Sequence, residues 1–113
     1  MKKETKEKIL VFRDDRDWRK FHNGKDLALS LALEASELLE IYQWSGDDLN
    51  VSHKLELIKE ELADIIMYTI LIADRYNLDV DEIVLQKLKA NDAKYPVEKA
   101  KGTYRKYTEL DDD

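Results

Sequence analysis

A chain of 113 residues suffices for one domain and is too short to hold two comfortably. Three glycines, one proline and 39% charged residues favour an all-α protein. The net charge of −6 argues against a binder of polymeric nucleic acid, which carries a basic face, and the absence of cysteine excludes disulfides and thiolate chemistry.

Four helices are expected in chain order. The lysine-rich start leads into no apolar run of the kind a signal peptide needs. The first helix covers roughly 3–21, with a break near Arg13-Asp14-Asp15. Asn23-Gly24 is a turn signal. Asp26 is the expected N-cap of the second helix, which runs to about Trp44 and stops at Ser45-Gly46-Asp47-Asp48. Asn50 or Ser52 opens the third, which continues to about Tyr76, with Asn77 as its C-terminal stop. Asp79-Val80-Asp81-Glu82 has capping-box spacing, with Asp in the Ser/Thr place, and opens the fourth. Pro96 ends that helix, because the residue before proline avoids helical backbone. Residues 98–113 are charged, poor in helix formers and closed by three aspartates, and are expected to be a flexible tail. The longest apolar run, 65–73, is interrupted by polar groups and too short for a bilayer. The expectation is a cytoplasmic protein of one domain, 1–113, with no membrane partner.

The second and third helices each carry two acids three residues apart: Glu34 with Glu37, and Glu61 with Asp64. Residues at that spacing share a helix face. Such pairs usually belong to a solvated face, and a noncatalytic helical interaction module is the alternative they leave open. Here both pairs sit among apolar residues, and no Lys or Arg follows their acids at the spacing of a helical ion pair. Antiparallel packing of the two helices brings four carboxylates together. Carboxylates buried without partners are costly. A hard divalent cation removes that cost and keeps positions for water and phosphate oxygens. The pairs therefore point to Mg²⁺, with Mn²⁺ as a substitute, and to phosphate chemistry.

The second helix is apolar on most sides, through Leu27, Leu29, Leu31, Leu33, Leu38, Leu39 and Ile41. Three companion helices in so short a chain can hardly enclose it, so a homo-oligomer that completes the core is expected. Trp18 and Trp44 flank this helix; tryptophan is more often core than ligand platform, and the functional reading is a stacking wall for a base. His22 reads as a turn residue or a polar ligand contact, and His53 as incidental.

The segments Arg16-Asp17-Trp18, Phe21-His22, Glu34-x-x-Glu37, Tyr42-Gln43-Trp44 and Glu60-Glu61-Leu62-x-Asp64 resemble the MazG-like all-α nucleoside triphosphate pyrophosphatases. Lys87, Asn91, Lys94-Tyr95-Pro96 and Arg105-Lys106-Tyr107-Thr108-Glu109-Leu110 match the dCTP pyrophosphatase branch of that family. The resemblance runs from about Phe12 to Leu110. It implies a MazG-like four-helix bundle and a Mg²⁺-dependent hydrolase that converts a nucleoside triphosphate, best guessed as dCTP or a 5-modified dCTP, to the monophosphate and pyrophosphate in nucleotide-pool house-cleaning. A related phosphohydrolase for dUTP or phosphoribosyl-ATP stays open. Carried over by position, Glu34, Glu37, Glu61 and Asp64 would hold the metal, and Glu34 or Glu37 would take the water proton. Trp18, His22, Trp44 and Tyr68 would surround base and sugar, while Lys87, Asn91 and, more weakly, Tyr95 would meet phosphate. The resemblance further implies a tetramer built as a dimer of dimers. Asp26 departs from the branch, which commonly has Asn there; it is either a helix cap or a contact that shifts base preference.

Overall fold

The computed structural model describes residues 1–112, so Asp113, the last residue of the expected tail, lies outside the described residues. The protein is all-α, with no strand among the described residues. Its elements form two compact units, Met1–Leu78 and Asp79–Asp113.

In the first unit, α1 spans Lys3–Asp15. The break expected near Arg13-Asp14-Asp15 is real and has a specific form. Asp17 takes left-handed backbone at φ 55°. The Trp18 and Asp17 amides donate back to the Arg13 and Asp14 carbonyls at 3.1 and 3.0 Å, the paired closure that ends a helix on a left-handed residue. A short 3-10 turn, Arg19–Phe21, follows.

Helix α2 spans Gly24–Ile41. Asp26 is not its N-cap. Asn23 is: its side-chain oxygen accepts from the Asp26 amide at 2.8 Å, and its amide nitrogen donates to the Asp26 carboxylate at 2.8 Å. Asn-Gly was readable as a turn, but the same asparagine also starts the helix, which moves the cap three residues upstream of the expected position. The Tyr76 hydroxyl occupies the space a Cβ at Gly24 would take, so a larger residue there would have to displace that ring. The helix stops at Ile41 rather than Trp44; Tyr42 caps it, and Trp44 lies beyond in left-handed backbone at φ 66°.

Helix α3 spans Leu55–Arg75 and is preceded by a 3-10 turn, Ser52–Lys54. Asn77 stops it as expected, at φ 54°, with the Leu78 amide donating to the Ala73 carbonyl at 2.8 Å. Gly24 at the start of α2 faces Tyr76 past the end of α3, whereas Glu34, farther along α2, meets Glu61 near the start of α3. The two helices therefore run antiparallel and form the principal packing of the unit, with α1 against α3. The fully enclosed side chains are few: Leu27, Ile70 and Val51 here, with Leu110 in the second unit. Leu29, Leu33 and Leu39 of α2 are exposed.

In the second unit, α4 spans Val80–Lys94, capped by Asp79, whose carboxylate accepts from the Glu82 amide at 2.9 Å. Tyr95 and Pro96 end it. The segment expected as a tail holds a short helix, α5, Val97–Ala100, and a 3-10 helix, Tyr107–Asp112. Tyr107 packs edge-on to Tyr95, with ring centres 6.1 Å apart.

Candidate active site

Antiparallel packing of α2 and α3 brings together three of the four acids that the spacing anticipates. Glu34, Glu61 and Asp64 each offer a carboxylate oxygen within 4.8 Å of the others. One oxygen of Glu34 and one of Glu61 are buried without any hydrogen-bond partner. Orphaned buried carboxylate oxygens are rare in folded proteins, and a bound cation is a standard resolution. The donor set, all carboxylate, suits a hard divalent ion. Glu37 stands beside Glu34 at the exposed side of this trio, close enough to act on the Glu34 pKa.

The electrostatics report the same crowding. The Glu34 carboxyl is pushed up to about 7, first by burial and then by its contacts with Glu61 and Glu37, with Asp64 adding repulsion. Glu61 is also raised, chiefly by burial. Like charges held together cannot all stay ionised without a counter-charge.

Beside the acids lies a cavity of about 250 Å³. Asp64 belongs to both, so the acid cluster forms one end of the cavity. Trp18, His22 and Tyr68, all expected around a base and sugar, line it. Phe12 lines it too, and its ring meets Trp18 edge-on at 5.7 Å. The His22 Nδ1 is buried without a partner. Burial, and secondarily the Arg13 cation, hold the His22 pKa below its ordinary value, so the ring is neutral at neutral pH.

Trp44 is not brought to this cavity within the chain. It sits past the end of α2, 92% exposed, because the helix closes three residues earlier than its apolar pattern suggests. Lys87 and Asn91 belong to α4, and Tyr95 follows it, all in the second unit. Sequence reasoning missed Arg13, which lines the cavity and is 5% exposed. Its Nη1 donates to Asp74 at 2.7 Å and its Nε to Asp14 at 2.8 Å. The signal was present in part: Arg13 falls at the expected break of the first helix, where a charged side chain usually points to water.

The MazG-like family model matches residues 29–110. The bovine and human proteins named dCTP pyrophosphatase 1 are each 36% identical over 104 residues, covering 88% of this chain. The chain spans only about three-fifths of their length, 62% and 61%. Among solved structures, a pyrophosphatase from Archaeoglobus fulgidus superimposes with a TM-score of 0.77 at 36% identity, over 82% of this chain and 90% of that one.

Proposed function

The chain belongs to the MazG-like family, and on that premise we propose that it is a Mg²⁺-dependent nucleoside triphosphate pyrophosphohydrolase acting on dCTP or a 5-modified dCTP. The observation that carries this reading is Asp64, which joins a cluster of three carboxylates, two of them with an orphaned buried oxygen, to an aromatic-walled cavity. A triphosphate and a base need those two environments side by side. The family match spans both compact units, which supports treating residues 1–113 as one catalytic domain. The relatives named for dCTP support the cytosine preference.

Glu34, Glu61 and Asp64 would hold the cation, with Glu37 alongside. When bound, Mg²⁺ supplies charge neutralisation for the phosphates and lowers the pKa of bound water. Trp18, one wall of the cavity, is the ring on which the base would stack, and such stacking contributes roughly 1–3 kcal/mol without selecting a base. Water attacks the α-phosphorus, the bond to the bridging α–β oxygen breaks, and pyrophosphate leaves with that oxygen. Glu37, which the three-carboxylate set leaves free, takes the water proton. Lys87 and Asn91 would reach the phosphates, and Trp44 the base, once the assembly is complete. Exposed Leu29, Leu33 and Leu39 on α2 support a homo-oligomer, a dimer of dimers in our reading. Among the described residues no helix is long and apolar enough to cross a membrane; the free nucleotide pool of the cytoplasm is where we place the activity.

The test is pyrophosphate release from dCTP, 5-methyl-dCTP, dUTP, dTTP and dATP, with Mg²⁺, with Mn²⁺ and with chelator. Cytosine nucleotides should give the highest kcat/KM, and chelator should abolish turnover. Faster turnover of dUTP or dATP than of every cytosine nucleotide overturns the base assignment. No pyrophosphate from any nucleotide with either metal overturns the activity.

A further inference from the structure

We propose that Arg13 is the residue that reads the base. Through the N–H groups that its carboxylate partners leave free, it donates to the adjacent acceptors N3 and O2 of a cytosine. This rests on the cavity being the nucleotide site.

The cavity has a direction. Asp64, at the acid end, and Leu71 both lie on α3 and both line it. They are separated by about 10 Å at 1.5 Å rise per residue. Asp74, which holds Arg13, is one helical turn farther on. The guanidinium therefore sits at the end remote from the carboxylates. With phosphates at the Asp64 end, that length places a deoxyribose and then a pyrimidine ring toward Arg13, between the Trp18 and Tyr68 walls.

The guanidinium is fixed and incompletely used. It has five N–H donors and no acceptor. Asp14 engages Nε and Asp74 engages Nη1, which holds the plane and leaves Nη2 outside both bonds. Those two partners hold the pKa of Arg13 above its ordinary value, so it stays a cation although only 5% exposed. Burying a cation is costly. Two carboxylates offset the charge, but tying α1 to α3 does not require the arginine to face the cavity.

The chemistry of the pyrimidine edge then discriminates. Cytosine presents an amine donor, then two adjacent acceptors, N3 and O2. Uracil and thymine present N3–H, a donor that opposes another donor. His22 lines the same cavity, and its buried, unpartnered Nδ1 is the acceptor for the cytosine amine once the ring turns toward the ligand with its proton on Nε2. The pair Arg13 and His22 thus matches the cytosine edge and opposes uracil at N3 and at the 4-position, O2 being an acceptor in both. Sites built to hydrogen-bond one edge reject the wrong one strongly.

The experiment compares wild type with Arg13→Lys and Arg13→Gln, using Mg²⁺-dependent pyrophosphate release from dCTP and dUTP. Lysine keeps the charge and can pair with Asp74 but loses the planar fork. We expect dCTP kcat/KM to fall about tenfold or more, as charge-assisted hydrogen bonds are lost, with dUTP little changed, so the selectivity ratio collapses. An equal loss on both nucleotides, or none, overturns the proposal in favour of a purely structural ion pair. A second arm needs no variant: the Arg13 side-chain Nε–H resonance of the wild-type protein is followed during titration with dCMP and with dUMP. A shift with dCMP that dUMP does not reproduce supports the proposal. An unmoved resonance at saturating dCMP overturns it. A wild type that releases no pyrophosphate overturns the proposed function, whereas the base-reading role then stands or falls on the dCMP titration.

Discussion

Glu34 and Glu61 each keep a buried oxygen without a partner, and that cost sets what substitutions at them will do. Glu61→Gln removes one like charge from the cluster, so the metal-free protein should melt higher than wild type. The same change should abolish the Mg²⁺-dependent rise in Tm and lower kcat/KM by about 100-fold or more, because the cation's stabilisation of phosphoryl charge is worth several kcal/mol. Calorimetry with and without Mg²⁺ checks both halves; a variant that still gains Tm from Mg²⁺ sinks the ligand assignment. Glu34 adds a pH dependence. Its folded pKa, about 7, is above its ordinary 4.5. Between those values the folded chain binds a proton that the unfolded chain has released. Metal-free stability should therefore fall as pH rises from about 4.5 to 7 and level off above. Mg²⁺ displaces that proton, so its affinity should rise through the same window. Melting in chelator at pH 5 and pH 8, with Glu34→Gln as control, decides; an unchanged fall in the variant means another group is responsible. At this scale the trio Glu34, Glu61 and Asp64 was legible, because spacing on a helix is a local property, while Glu37, expected with them, stands outside the trio. Arg13 was not, because its burial depends on Asp74, sixty-one residues away.

Helix ends repeat the lesson one level up. Asn77 and Asp79 behave as their sequence context says, since stop and cap signals act within a few residues. Asp26 did not, because Asn23, three residues earlier, offers the same chemistry and takes the cap. The pair is reciprocal, with Asp26 bonded to Asn23 through both its amide and its carboxylate. Asn23→Ala removes both bonds and should cost about 1 kcal/mol, a drop in Tm of about 4 °C for a chain this size. Thermal unfolding checks it; a shift near zero would mean solvent satisfies the α2 amides equally well. Asp26→Asn leaves the Asn23 oxygen on the same backbone amide. Since Asp26 does not line the cavity, the ranking of nucleotides should not change, and steady-state comparison of dCTP with dUTP reads that directly. The overlong reading of α2 has a different cause. Tyr42-Gln43-Trp44 extends the apolar pattern, but left-handed backbone at Trp44 turns the chain away.

At the scale of the whole molecule, many large apolar side chains are exposed. Leu29 and Leu33, one helical turn apart on α2, are 53% and 65% exposed, and Leu39 is 72% exposed. The sequence pattern announced this surface but not what covers it, because periodicity records which face is apolar and is silent on its partner. A second copy is the occupant we propose, and the energetics make the claim testable. Burying a leucine contributes roughly 1.5–3 kcal/mol. In a two-fold assembly each substitution counts in both protomers. Leu33→Glu therefore removes about 3–6 kcal/mol of association energy, before any cost of burying the new carboxylates, which weakens the dimer by about 100-fold or more. In the separated chain Leu33 faces water, so helicity should survive. Light scattering at low micromolar concentration should show wild type as an oligomer and Leu33→Glu as a smaller species with unchanged circular dichroism. If Trp44, Lys87 and Asn91 serve the site only in the assembled state, pyrophosphate release by Leu33→Glu should fall upon dilution more steeply than that of wild type. A wild type that is monomeric and fully active at that concentration would remove the oligomer from the mechanism and leave the exposed leucines without an account.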